Sequence, residues 1–324
     1  MKIKSIENNE FNIQMTVSNQ CNYSCRYCPP KLNNGSTPLI PVETYIRFFT
    51  DLIADNPEIM QYEKKFVGLT GGEPTAYPGI DDLIEFFQKN NFNIALDTNG
   101  SAKMDFWEKN LSKINMTNLS VHARYANFKH ILEVVKLGIR KQSVVKVAIL
   151  MDPEYWDRAM EGINFFKENN VPIMEFKGLI FRMEKESKDD QRKKNYYDTY
   201  TSEQMDWIKS NTYYTNTNLT EINPNYQTRN AQIVYEDGTK EKFLGQKVQS
   251  QELNKFLGYK CYAGTDSLSV RYDGSITAAH CSRDMSFGNL VQNPNLRIKL
   301  LKDPIICPLK KCSCVSDMRI RKSI

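Results

Sequence analysis

Cys21-Asn22-Tyr23-Ser24-Cys25-Arg26-Tyr27-Cys28 follows a short apolar, β-like run, Phe11–Val17. The spacing is C-x3-C-x2-C, so one tight loop supplies three thiolates and stops one short of a closed site. Structural zinc and ordinary [4Fe–4S] clusters are held by about four protein ligands. Three thiolates on one loop leave one iron of a cubane open to an outside ligand. An open position is what separates a catalytic metal centre from a structural one.

A second signal stands downstream. Gly71-Gly72-Glu73-Pro74 follows another β-like run, Lys65–Thr70. The cysteine loop, with Tyr27 just before its last thiol, and the GGEP segment together resemble the two signatures of the radical S-adenosylmethionine (radical SAM) enzymes. The order and the strand-then-motif context match as well.

The pattern up to residue 181 supports the same fold without the motifs. Strands are expected at Phe11–Val17, Lys65–Thr70, Asn93–Thr98, Asn118–Val121, Val144–Met151 and Ile173–Phe181. Helical stretches lie between them near 43–55, 80–91, 104–114, 126–140 and 154–170, with Asp81 and Asp82 suited to a first helical turn. Alternation of this kind predicts parallel strands with right-handed crossovers. The expected fold class is α/β, a partial (β/α)6 TIM-like barrel, followed by a small cysteine-rich α+β auxiliary-cluster domain. The site belongs at the strand carboxyl ends. Cys21, Gly71–Pro74, Thr98-Asn99-Gly100 and Ser120-Val121-His122 would all fall on that rim.

Domains are expected at 1–181 (barrel), 182–258 (connector) and 259–324 (auxiliary module). In the connector, Glu184–Lys194 reads as a solvated charged run, Ser202–Lys209 as a short helix and Gln232–Phe243 as a hairpin. It either helps cover a substrate or bridges the flanking domains.

Five of the eight cysteines are Cys261, Cys281, Cys307, Cys312 and Cys314. Between the first two, Leu268–Thr277 alternates around Asp273-Gly274, a hairpin that would bring Cys261 and Cys281 together. A short helix is expected at about Pro294–Leu301. The arrangement is similar to the SPASM or twitch modules that hold auxiliary [4Fe–4S] clusters. Five cysteines suffice only for the shorter, one-cluster form, and six residues separate Gly274 from Cys281, a longer spacing than the usual one. Four thiols complete a cluster and one is left over. The sequence leaves open which of the five that is; Cys314 is one candidate, as a bystander, an occasional ligand or a hydrogen-atom donor, and is otherwise a cluster ligand with the rest. A zinc site at these cysteines is the alternative for the whole module.

By resemblance, Cys21, Cys25 and Cys28 hold the cluster whose open iron binds the amino and carboxylate groups of SAM. One-electron cleavage then yields a 5′-deoxyadenosyl radical that removes hydrogen from a C–H bond, with the electron delivered by a flavodoxin- or ferredoxin-like donor. Gly71 and Gly72 would let backbone approach closely, and Glu73 or adjacent carbonyls would accept from the methionine ammonium. Tyr27, Leu150 and Met151 are candidates for packing on adenine, Asn99 and Ser120 for the ribose or carboxylate, and Arg124 for a bidentate carboxylate pair. His122, one of three histidines, is a catalytic candidate beside Cys314.

The substrate stays open at this point. One reading is a ribosomally made peptide, epimerised, crosslinked or oxidised. The 20 residues before Cys21 are too few for the winged-helix leader-binding domain that many such enzymes carry. Another is a small polar molecule such as an amino sugar or cyclitol. A non-catalytic Fe–S protein would have no use for an open iron or for GGEP. A net charge of +5, spread along 324 residues, argues against nucleic acid and transfer-RNA substrates. No apolar run reaches the ~18 residues of a membrane span, and the amino end lacks a signal peptide's apolar core. Eight cysteines without an export signal indicate metal ligation in the cytoplasm rather than disulfides.

Overall fold

The alternating pattern becomes a run of parallel strands in the computed structural model, which describes residues 2–179, 199–227, 229, 231–243, 245–281 and 285–324. A first strand, β1 (Ile3–Glu7), belongs to a separate sheet. Then β2 (Glu10–Thr16), β3 (Lys64–Thr70), β4 (Asn93–Thr98), β5 (Met116–His122), β6 (Val144–Met151) and β7 (Ile173–Gly178) pair in sequence order, each parallel to the next. Their crossovers carry α1 (Val42–Asp55), α2 (Ile80–Lys89), α3 (Met104–Asn110), α4 (Phe128–Arg140) and α5 (Trp156–Glu168).

Helix-side packing explains why these segments fold as they do. On α1, Tyr45, Phe48, Phe49 and Leu52 recur at helical spacing and are buried. Phe49 meets Phe87 of α2 edge to face, with ring centroids 4.9 Å apart. Along the strands every second residue joins this core: Ile13 and Met15, Val67 and Leu69, Ile94 and Leu96, Leu119 and Val121, Val147 and Ile149. The residues between them face the other side of the sheet, and many are polar.

The sheet continues past the parallel run at both edges and does not close into a barrel. After β7 comes β8 (Tyr213–Thr215), antiparallel. At the other edge β12 (Ser267–Val270) lies parallel to β2, followed by β13 (Ser275–Thr277) and β14 (Ser286–Asn289). The second sheet is antiparallel throughout: β10 (Lys240–Lys242), β9 (Gln232–Tyr235), β1, β16 (Lys322–Ser323), β11 (Lys260–Cys261), β15 (Ile305–Ile306). Short helices α6 (Ser202–Ser210), α7 (Leu219–Ile222), α8 (Gly245–Ser250) and α9 (Val315–Met318) fill the connections. α6 starts with a capping box between Thr201 and Gln204.

The expected helix at Pro294–Leu301 does not form. Leu296, Ile298 and Leu300 alternate with exposed Arg297 and Lys299, a period of two, and the segment runs extended along the end of α1. There Asn56 Nδ2 donates to the Ile298 carbonyl (3.1 Å), and Leu300 N donates to Asn56 Oδ1 (2.8 Å). The third expected helix is shorter, ending at Asn110 before a 3-10 turn over Leu111–Lys113. The charged run Glu184–Lys194 and the end of the expected strand Ile173–Phe181 lie outside the described residues.

Candidate functional site

Both motifs extend the β2–β3 pairing beyond the ends of the strands. Val17 N donates to Thr70 O (2.9 Å), Gly72 N to Ser18 O (2.9 Å) and Glu73 N to Gln20 O (2.7 Å). A Cβ at Gly72 would lie 2.0 Å from the Gln20 carbonyl oxygen, and one at Gly71, where φ is +148°, 2.5 Å from that of Ser18. The close approach expected of these glycines is thus an approach to the chain that leads into Cys21.

Cys21, Cys25 and Cys28 open onto one cavity of about 190 Å³, shared with Gly71, Gly72, Asn99, Ser120 and His122. Burial pushes the Cys21 thiol up, Cys25 to about 11 and Cys28 to about 12. Cys25 is buried and Cys21 and Cys28 are partly exposed, and a metal bound there would hold all three as thiolates. This donor set fits a cluster with one iron left open.

Glu73 is bonded within the protein itself. Its side chain is 1% exposed. One carboxylate oxygen accepts from Thr75 N (3.0 Å), Thr75 Oγ1 (2.7 Å) and Thr98 Oγ1 (2.6 Å), and the other from Asn99 N (2.7 Å). The carboxylate is turned into the protein, where it ties the end of β4 to the GGEP turn. Asn99 carries that tie onward: its Nδ2 donates to Asn22 Oδ1 (2.8 Å), inside the cysteine loop.

The aromatic side chains of the loop pack on β5's end. Tyr27 shares a hydrogen bond with His122 Nδ1 (2.6 Å), and their rings lie parallel. The same nitrogen is 3.2 Å from Cys25 Sγ. Burial lowers the His122 pKa to about 4, so the ring is neutral. Arg124 is exposed, its guanidinium over the rings of Tyr125 and Tyr155, where cation–π contact occupies the group expected to clamp a carboxylate. Leu150 and Met151 cannot both line one adenine site, since consecutive strand residues face opposite sides. Leu150 stands opposite His122 on the cavity side, whereas Met151 is fully buried in the helix-side core.

The cavity-side face of the sheet carries residues the motif reading missed. Asp97, Asn118, Lys146, Glu175 and Lys177 sit on β4 to β7 at positions alternating with the core. Asn118 donates to Asp97 (2.6 Å), and Glu175 receives Lys146 (2.7 Å) and Lys177 (3.4 Å). Burial opposes ionisation of Glu175, but the two ammonium groups outweigh it and lower its pKa. Period-two alternation, as in Asn118-Leu119-Ser120-Val121-His122, was the available signal: a parallel strand buried on both faces reads as continuously apolar.

The other cysteines gather at the second sheet. Cys261, Cys307 and Cys312 belong to one buried cluster with Cys281 packed against it, and no disulfide joins any of the eight. Backbone bonds place them: Cys307 N donates to Tyr259 O (2.8 Å), Cys312 N to Asn254 O (2.8 Å), and Cys281 N to the Asp317 carboxylate (3.0 Å). Cys314 stands before α9, its sulfur within 4.8 Å of ligand atoms of His280 and Asp317. Burial pushes Cys261, Cys281 and Cys312 up, opposed by the Lys322 ammonium. A buried, sulfur-rich donor set of this kind also suits a cluster.

Residues 15–193, more than half of the chain, match the model of the Radical SAM superfamily. Among curated proteins, a GTP 3',8-cyclase of Helicobacter pylori (strain HPAG1) is 30% identical over 178 residues, 50% of this chain and 53% of its own length. A 7-carboxy-7-deazaguanine synthase of Haemophilus influenzae is 30% identical over 81 residues, 25% of this chain and 33% of that protein. The chain thus spans about half the length of the cyclase. Among solved structures, anSMEcpe with bound AdoMet and Cp18Cys peptide is similar with a TM-score of 0.51 at 17% identity, over 88% of this chain and 81% of that one. This likeness shows a shared fold.

Proposed function

Because the chain belongs to the radical SAM superfamily, whose cofactors are a [4Fe–4S] cluster and SAM, we propose that it removes a hydrogen atom from a C–H bond of a substrate held over the polar face of the open sheet. The observation that carries this reading is the single cavity faced by Cys21, Cys25 and Cys28, with the Gly71–Glu73 backbone bonded alongside. When bound, SAM supplies the hydrogen-abstracting chemistry after one electron arrives from an external donor of the flavodoxin or ferredoxin type. The chain's own residues position it. Glu73 and Asn99 fix the cysteine loop, and Tyr27 and His122 close its aromatic side. Ser120 and Leu150 line the strand ends. In the same proposal the C-terminal cysteines hold a second, auxiliary [4Fe–4S] cluster.

The substrate we infer is a peptide. Its support is the fold shared with anSMEcpe, which has been seen with a bound peptide. A small polar molecule is the second reading. It is favoured by the Asp97, Lys146, Glu175 and Lys177 side chains on the sheet's open face and by the sequence likeness to a GTP 3',8-cyclase. Among the described residues no helix is long and apolar enough to cross a membrane.

Iron analysis after anaerobic reconstitution tests the proposal. About eight irons per chain are expected, in two cubanes, falling to about four when Cys21, Cys25 and Cys28 are all replaced by Ala. The intact protein should convert SAM to 5′-deoxyadenosine under dithionite, and the triple variant should not. An iron-free protein would reject the proposal. Product formation with a precursor peptide, or with small polar candidates alone, decides between the substrates.

A further inference from the structure

One cross-strand row of the second sheet has a member out of character. Ile233 of β9, Ile6 of β1, Lys322 of β16, Cys261 of β11 and Ile305 of β15 stand opposite one another in turn. Ile233 and Ile6 are fully buried, Cys261 is nearly so, and Lys322 is 1% exposed. Residues directly opposite on antiparallel strands put their side chains on one face, about 5 Å apart at Cβ. The lysine therefore enters the buried layer beside Cys261.

Its contacts are those of an ammonium. Nζ donates to the carbonyls of Asp317 (2.6 Å), Met318 (3.2 Å) and Ile320 (3.0 Å). That uses all three N–H groups of the charged form, whereas a neutral amine has only two. The head also lies 5.1 Å from the centre of the Phe256 ring. Neither neighbouring carboxylate bonds directly to it. Asp317 receives the N–H groups of His280 and Cys281, and Asp266 is held by both arms of Arg321. Among the described residues no carboxylate makes a salt bridge with Lys322. Carbonyl dipoles solvate such a charge without neutralising it, and a buried ammonium is costly unless an anion compensates it. Around the same helix end lie the C-terminal cysteines. Cys314 precedes α9, Cys281 is bonded to Asp317, and Cys312 and Cys307 share the cluster of buried residues with Met318 and Ile320.

We propose that Lys322 is a positioning residue for the auxiliary cluster, its ammonium compensating the thiolate charge and favouring the one-electron-reduced state. This rests on the reading that the C-terminal cysteines hold a cluster. A thiolate-ligated cubane is anionic, and reduction adds one more negative charge, so a fixed cation stabilises the reduced form more than the oxidised one. Charge and burial are among the determinants of cluster potential. The step is one electron in, with no bond made and no proton moved.

The test uses the full chain with Cys21, Cys25 and Cys28 replaced by Ala, reconstituted anaerobically so that only the C-terminal cluster is observed. Dithionite titration followed by electron paramagnetic resonance gives its midpoint potential with Lys322, Lys322→Arg, Lys322→Gln and Lys322→Met. The neutral variants are expected to shift the one-electron equilibrium at least tenfold toward the oxidised form, about 59 mV. Arg is expected to restore the parent value. If the neutral variants hold no iron, retention by Arg alone supports the charge requirement. Gln or Met with parental iron and parental potential would overturn the proposal, leaving Lys322 as a cap for the α9 carbonyls. Failure of Arg along with both neutral variants would overturn it too. A parent without iron would remove the anion itself and refute the cluster reading, a result separable from an unchanged potential.

Discussion

Replacing Glu73 distinguishes two roles that its place in a motif leaves confounded. The carboxylate is 1% exposed and accepts four internal hydrogen bonds, from Thr75 N and Oγ1, Thr98 Oγ1 and Asn99 N. Bonds to a charged acceptor contribute about 1.5–3 kcal/mol each and do not add fully, so Glu73→Ala is expected to cost about 3–5 kcal/mol. Glu73→Gln is the sharper probe. Its oxygen can keep the two threonines, but its amide then points a donor at the Asn99 N–H. That single mismatch is expected to cost about 2–3 kcal/mol. Urea unfolding of the metal-free protein measures both. Thr98→Val should cost less in the Glu73→Ala background than in the parent, since the alanine has already removed the bond the two share. A residue whose work is to bind the methionine ammonium would behave differently, leaving the metal-free stability intact and weakening only SAM binding. A Glu73→Gln midpoint unchanged to within about 0.5 kcal/mol would refute the internal-anchor reasoning.

Three further outcomes follow from the geometry. Gly72→Ala forces a Cβ to 2.0 Å from the Gln20 carbonyl oxygen and should lose about 3 kcal/mol or more, read from the same urea midpoint. Met151→Ala is expected to cost about 2–5 kcal/mol with SAM binding unchanged, whereas Leu150→Ala should weaken binding at little cost in stability. Equilibrium dialysis of the reconstituted variants separates the two faces, and equal losses of SAM binding would contradict them. Asn56→Ala breaks the bonds to the Leu52 and Ile298 carbonyls and to Leu300 N. The expected cost is about 2–3 kcal/mol, with new proteolytic cutting near residues 298–300. Protection equal to the parent's would count against this clamp.

The strands of the open barrel were legible because their packing is local and periodic. Asn93–Thr98 and Val144–Met151 coincide with β4 and β6, where β-branched or apolar residues alternate toward one helix layer. The second sheet was mostly illegible. β11, β15 and β16 are two residues long, below any periodic signal, and β1 carries a register shift between Ile3 and Ser5 that breaks its alternation. In the 294–301 segment the error was one of period: Leu296, Ile298 and Leu300 repeat every second residue. At the site, spacing sufficed to bring Cys21, Cys25, Cys28, Asn99, Ser120 and His122 to one cavity. What spacing could not show was direction. Glu73 turns inward because Thr98 and Asn99 meet it from another strand, and no local pattern around Glu73 contains them.

The pairing of β1 with β16 imposes an order of events on folding. Ser5 and Ile6 align with Ser323 and Lys322, so strands far apart in the sequence lie side by side. The β2–β7 run depends on neighbours in sequence order and can assemble while the remainder is still being synthesised. The second sheet has to wait, because closing so long a loop costs entropy before any contact rewards it. Its buried row, and with it the pocket of C-terminal thiols, is therefore a late product of folding, and iron delivered to those cysteines before residue 323 has joined the sheet would meet them unassembled.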